Sequence, residues 1–76
     1  MLATEALQAV AGHAGLSGRA LSKALGKAET WARNSYGRDT KLGTLADAAD
    51  VAGCEVRVVD RETGDTVAVI DPPSRS

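Results

Sequence analysis

The sequence has few of the side chains that form a deep core: it contains no phenylalanine, one tryptophan and one tyrosine. Its hydrophobic 43% consists mostly of alanine, leucine and valine, which suit close helix packing better than a deep ligand pocket. A chain of 76 residues removes only about 60% of its unfolded surface from water on folding, so the core will be thin. We therefore expect that the protein is not an enzyme and that it binds no cofactor and no small-molecule substrate.

Cysteine and long apolar runs are also scarce. The one cysteine, Cys54, excludes an intrachain disulfide and a cysteine-based zinc site. No apolar run approaches the roughly 20 residues of a membrane span, and the first residues lack the basic start of a secretory signal. These features predict a cytoplasmic protein without a membrane segment.

The charges are unevenly distributed along the chain, although its net charge is only −1. Between Leu16 and Lys41 six basic residues stand against two acidic ones, a local net charge of +4. From Leu42 onward three basic residues stand against seven acidic ones, a net charge of −4. A basic segment followed by an acidic one is typical of a protein with one phosphate-facing side, but two solvated faces explain the pattern equally well.

The first and last predicted helices show apolar residues at spacings of three and four. Residues 2–14 carry the first stripe, which Gly12 and Gly15 end. Residues 42–52 carry the last one, with Gly53 as its stop. The residues predicted to face inward are Leu2, Ala6, Leu7, Val10 and Ala14 in the first, and Leu42, Leu45, Ala48, Ala49 and Ala52 in the last.

Two shorter helices are predicted between them. Ser17 can cap the first, whose inward residues are Leu21, Ala24 and Leu25. Gly26 ends this helix, and a second helical stretch over 28–36 follows and closes at Gly37. Two short helices joined by a tight turn that contains glycine form a helix-turn-helix arrangement.

After Gly53 the hydrophobic period changes to two, which predicts a β-hairpin from the strands 55–61 and 65–71. The loop Glu62-Thr63-Gly64 between them places Gly64 in the left-handed conformation. The predicted register opposes Arg61 to Asp65, Val59 to Val67 and Val58 to Ala68. One face then carries Val56, Val58, Ala68 and Ile70, and the other carries Arg57, Val59, Val67 and Val69.

From Leu16 to Cys54 the sequence LSGRALSKALGKAETWARNSYGRDTKLGTLADAADVAGC resembles the Cro and repressor type (XRE-like) helix-turn-helix family. Gly26 matches the family's turn glycine. Leu21 and Leu25 match inward positions of the first motif helix, and Ala32 matches an inward position of the recognition helix.

The spacing of residues 42–53 also matches the family's following helix. Three residues depart from the family pattern. Ser22 stands where alanine is usual, Lys27 where an apolar residue closes the turn, and Ala28 where a serine or threonine caps the recognition helix.

The resemblance implies a lambda repressor-like fold, which is α+β but mainly α. We expect a four-helix helix-turn-helix domain over 1–53, with the motif at 18–37. A C-terminal β-hairpin over 54–71 would belong to the same domain and form its dimerisation element. The last residues, 72–76, are predicted to be a frayed tail.

The resemblance also places the segment 28–36 in the major groove of DNA. Arg33 would bind guanine and Asn34 adenine, whereas Glu29 would either accept from a cytosine amine or pair with Arg33 four residues later. The predicted base contacts are Glu29, Thr30, Arg33 and Asn34. The predicted phosphate contacts are Ser17, Arg19, Lys27, Arg38 and Lys41.

The function implied is that of a transcriptional regulator, a repressor by analogy, that binds double-stranded DNA. The resemblance does not cover residues 55–76, and we infer from the strand pattern there that the regulator is a homodimer. Because the helices of a small domain cover only one side of a hairpin, the predicted dimer interface is the second face, with Arg57, Val59, Val67 and Val69. Two alternatives stay open. One is an antitoxin whose hairpin binds a protein partner, a toxin or co-regulator, while its helices bind DNA. The other is a protein-interaction module without DNA binding. No catalytic or metal site is expected.

Overall fold

The computed structural model describes residues 1–32 and 40–75 of a small α+β domain. The described helices are α1 (Ala3–His13), α2 (Gly18–Ala24) and α3 (Leu42–Val51). Strands β1 (Val56–Val59) and β2 (Thr66–Ile70) form an antiparallel sheet, and a 3-10 helix (Pro73–Arg75) follows. No helix in these two ranges combines the length and apolar character needed to cross a membrane.

The predicted four-helix architecture is wrong, because residues 1–32 and 40–75 form three α-helices. Residues 27–30 are not helical, and helical backbone begins only at Trp31 and continues to Ala32. The remainder of the helix predicted over 28–36 lies outside the described residues. Hydrogen bonding explains the late start: the Ala28 carbonyl accepts the Trp31 N–H at 2.9 Å, while the Ala32 N–H donates to the Ser22 hydroxyl at 2.9 Å. An α-helix from Ala28 would need the Ala32 N–H for the Ala28 carbonyl.

The three α-helices end in the same way, at a glycine with positive φ. The angles are 69° at Gly15, 70° at Gly26 and 72° at Gly53, where an ordinary side chain would cost about 1–2 kcal/mol. Gly12, predicted as a stop, lies inside α1 instead. After each of these glycines the next N–H bonds back into the helix, in a Schellman motif: Leu16 to the Ala11 carbonyl (2.8 Å), Lys27 to Ser22 (2.8 Å) and Cys54 to Ala49 (2.7 Å).

The core lies where the helices meet and is small, as the composition predicts. Leu7 and Leu21 are fully buried and are its largest apolar side chains. Burying one leucine contributes about 1.5–3 kcal/mol, so each of them matters in a domain of this size. Alanines Ala11, Ala32 and Ala48 complete the buried cluster, and partly buried side chains surround it: Val10, Leu16, Leu25, Trp31 and Leu45.

Several inward positions were predicted wrongly, mostly at helix ends. Leu2 is 61% exposed at the N-cap of α1, and Leu42 is 53% exposed as the first residue of α3. Both residues lie at the start of their helices, whereas the buried residues of α1 and α3 lie further along each helix. Ala14 and Ala24 are also exposed, whereas Ala11 and Ala46 are buried.

The hairpin keeps the predicted pairing at Val58 and Ala68. Beyond this pair the register shifts, so that Val59 pairs with Thr66. The predicted pairing of Val59 with Val67 is therefore wrong. A bulge of this kind places one residue more on one strand than on the other.

The loop explains the shift. Asp60 and Asp65 close it, with the Asp60 N–H donating to the Asp65 carbonyl at 2.8 Å, instead of the predicted Arg61 and Asp65. The Asp60 carboxylate accepts the N–H groups of Glu62 at 2.8 Å and Thr63 at 3.2 Å, which is an Asx-type turn. Gly64 takes the predicted left-handed conformation, with φ 77°.

The 3-10 helix Pro73–Arg75 packs on α3, so the predicted frayed tail is wrong for these three residues. The Ser74 N–H and hydroxyl both donate to Asp47 Oδ1, at 3.3 and 2.9 Å. A β-carbon on Gly43 would stand 2.9 Å from Pro73 Cγ, so glycine at this position permits the close approach. The 3-10 helix that follows β2 thereby packs against α3 between Gly43 and Asp47.

Candidate nucleic-acid interface

The segment that follows the Gly26 turn is held to α2 by the hydroxyl of Ser22. This side chain is fully buried; it donates to the Gly18 carbonyl at 2.8 Å and accepts the Ala32 N–H at 2.9 Å. Ala32 is itself fully buried, so the hydrogen bond lies where water does not compete. Sequence reasoning missed this role and treated Ser22 only as a small substitute for alanine. The available signal was a hydroxyl next to the inward Leu21, since a buried polar group needs a partner.

This anchor positions the residues at the start of the predicted recognition segment. Glu29 and Thr30 are exposed, while Trp31 is half-buried against the core and Ala32 is buried. Two of the four predicted base contacts therefore lie at the surface, and the inward position predicted for Ala32 is confirmed. The other two, Arg33 and Asn34, lie outside the described residues.

Glu29 forms an ion pair with Arg19 of α2, with 3.0 Å between Glu29 Oε2 and an Arg19 guanidinium nitrogen. Glu29, predicted to contact a base, is thus paired with Arg19, predicted to contact a phosphate. Their side chains are 69% and 73% exposed, and such exposed pairs contribute only about 0.2–1 kcal/mol. A phosphate can therefore compete for the guanidinium.

The other described phosphate-contact candidates lie at the ends of helices. Ser17 is the N-cap of α2, and its Oγ accepts the Ala20 N–H at 3.1 Å, so the predicted cap is confirmed. Lys27 is exposed directly after Gly26, and Lys41 is exposed at the N-cap of α3. Arg38 lies outside the described residues.

Acidic residues line a pocket between α3 and β2. The pocket has a volume of about 190 Å³, and its lining includes Asp50, Glu55 and Asp71. A concentration of negative charge disfavours a phosphate backbone. We therefore do not expect a duplex to bind at this pocket.

The four residues predicted for the dimer interface are all exposed, and Arg57 is paired with Glu55. The exposed fractions are 49% for Val59, 68% for Val67 and 47% for Val69. The opposite face is covered less than predicted, because Val58 is also 49% exposed. Within the described chain the helices shield mainly the strand ends near α3, where Val56 and Ile70 are half-buried.

The chain matches no family model, no curated protein and no solved structure. A functional assignment therefore depends on the arrangement of its own side chains. Three features of the chain bear most directly on its function: the anchored turn at Gly26, the exposed polar residues after this turn, and the positive net charge of the segment from Leu16 to Lys41.

Proposed function

We propose that this chain binds double-stranded DNA as a transcriptional regulator, with the segment 28–36 in the major groove. The observation that carries the proposal is the hydrogen bond between Ser22 and the Ala32 N–H across the Gly26 turn. It holds the start of the segment against α2 while Glu29 and Thr30 stay exposed. Reading base edges requires side chains on a backbone that is held in place, and this anchor supplies one.

The charge distribution supports the same proposal. The segment from Leu16 to Lys41 has a net charge of +4, and three of its predicted phosphate contacts, Arg19, Lys27 and Lys41, are exposed. Contacts to phosphates supply affinity without sequence information. A protein that regulates the genes of a prokaryote or phage in this way would act in the cytoplasm, where that DNA lies.

A salt series with the wild-type chain tests duplex binding. Fluorescence anisotropy would compare the duplex found upstream of its own gene with a random duplex of equal length. We expect tighter binding to the upstream duplex, and an affinity for both that falls with salt with a log–log slope of about −0.9 per phosphate neutralised. No binding at low salt, or binding insensitive to salt, would contradict the proposal and favour the protein-interaction alternative.

We further propose that the hairpin makes the chain a homodimer. An isolated two-stranded hairpin is marginally stable in water, and this one exposes Val59, Val67 and Val69 on the predicted interface. A second copy would cover these valines. The dimer would also present two recognition segments to half-sites about 34 Å apart on the duplex.

Light scattering at micromolar concentration tests the dimer. We expect a particle of about twice the 7.8 kDa chain mass for the wild type, and a monomer for Val67→Lys, because the lysine places a charge in the apolar interface. Val51→Lys is the matched control: Val51 is 40% exposed on α3, outside the predicted interface, and this variant should stay dimeric. A monomeric wild type would contradict the dimer and favour the antitoxin alternative, in which the hairpin binds a different protein.

A further inference from the structure

The exposed ion pair between Arg19 and Glu29 links α2 to the residues that follow the turn. Glu29 is one of only two acidic residues between Leu16 and Lys41, where six residues are basic. A carboxylate at the start of a DNA-reading segment faces repulsion from the phosphates. Its position against Arg19 therefore calls for an explanation beyond that of a solvated surface charge.

Glu29 and a DNA phosphate compete for the same guanidinium. Arginine offers a planar fork of N–H donors that binds either a carboxylate or a phosphate at two points. While Arg19 is paired with Glu29 at 3.0 Å, the carboxylate offsets part of its charge for an approaching duplex. Binding to a phosphate requires this pair to open, and its high exposure makes opening easy.

We propose that Glu29 acts as an internal counter-ion of Arg19 that weakens binding to any duplex and so raises the share of affinity that comes from base edges. The inference rests on the proposed duplex binding and assigns a different role to Glu29, which becomes a determinant of specificity instead of a base contact. Removing the carboxylate frees Arg19 for one more phosphate in each chain.

Glu29→Gln tests this inference in the same salt series, because glutamine keeps the size of the side chain and removes its charge. We expect affinity for the random duplex to rise about threefold at low salt, and the log–log slope to steepen by about 0.9 per chain. The preference for the upstream duplex should fall. Glu62→Gln, which removes the same charge from the exposed hairpin loop, should leave the slope unchanged.

A double-mutant cycle with Arg19→Gln separates the pair from a general effect of charge. In the Arg19→Gln background, Glu29→Gln should no longer steepen the slope, since the guanidinium is absent. Thermal melts of each variant should match the wild type closely, because both side chains are exposed. An equal effect of Glu29→Gln in both backgrounds would overturn the inference.

Two further outcomes would also overturn it, and each is distinguishable from failure of the proposed function. If Glu29→Gln lowers affinity only for the upstream duplex, Glu29 is a base contact. If the wild type binds duplexes and the slope does not change in Glu29→Gln, Glu29 does not restrain Arg19. A wild type that binds no duplex would instead remove the proposed function, and this inference with it.

Discussion

Replacing Arg33 and Asn34 together with alanine is expected to abolish the preference for the upstream duplex and to leave weak binding to any duplex. Arginine and asparagine are the side chains that bind guanine and adenine at two points, and each such pair discriminates by about 1–3 kcal/mol. Loss of both should therefore reduce the ratio of specific to random affinity by at least about 30-fold. Weak binding should persist because the predicted phosphate contacts Lys27 and Lys41 remain.

Anisotropy with the upstream and random duplexes measures this ratio directly. Arg61→Ala is the matched control: it also removes one positive charge, from an exposed position in the hairpin loop, and should keep the preference. A double variant with wild-type preference would remove the base contacts from Arg33 and Asn34. An equal loss of affinity for both duplexes would assign them to the phosphates instead.

Ser22→Ala is expected to lower the free energy of unfolding by about 1–3 kcal/mol, because the buried N–H of Ala32 loses its acceptor. Domains of this size are stable by only about 0.05–0.15 kcal/mol per residue, so the loss is a large fraction of the total. Each kcal/mol should lower the melting temperature by about 4–8 °C. Urea denaturation and thermal melts would measure both quantities.

Ser17→Ala provides the comparison for this variant. Its hydroxyl also accepts a backbone N–H of α2, from Ala20 at 3.1 Å, but it is exposed, so water replaces much of the lost bond. We expect a smaller loss, near the lower end of the about 0.5–2 kcal/mol range of N-cap substitutions. A Ser22→Ala variant as stable as the wild type would contradict the anchoring role and would indicate that the Ala32 N–H bonds the Ala28 carbonyl instead.

The parts of the fold that depend on neighbouring residues were predictable from sequence. Gly15, Gly26 and Gly53 end helices because each can adopt the positive φ of a Schellman motif without strain. Ser17 caps α2 because its hydroxyl reaches the N–H of Ala20, three residues later. The change of hydrophobic period after Gly53 likewise indicates the hairpin, whose strands the structure contains.

Features set by contacts between distant residues were missed or wrong. The helix predicted from Ala28 starts later because the Ser22 hydroxyl, ten residues before Ala32 in the chain, takes the N–H that the helix would have used. The docking of Ser74 on Asp47 spans 27 residues and has no local signature. The pairing of Arg19 with Glu29 is equally invisible to a search at helical spacings, which suggests only Arg33 as a partner for Glu29.

Glycine positions, hydrophobic period and charge blocks thus determine where this chain turns, that α1, α2 and α3 are helices followed by a hairpin, and which part of the chain is basic. Tertiary structure alone decided how the segment after Gly26 is anchored, which cation neutralises Glu29 and where the chain end packs. The physical reason is that backbone torsions and hydrophobic periodicity are local properties. The partner of a polar group, in contrast, is whichever donor or acceptor the packed helices bring within about 3 Å.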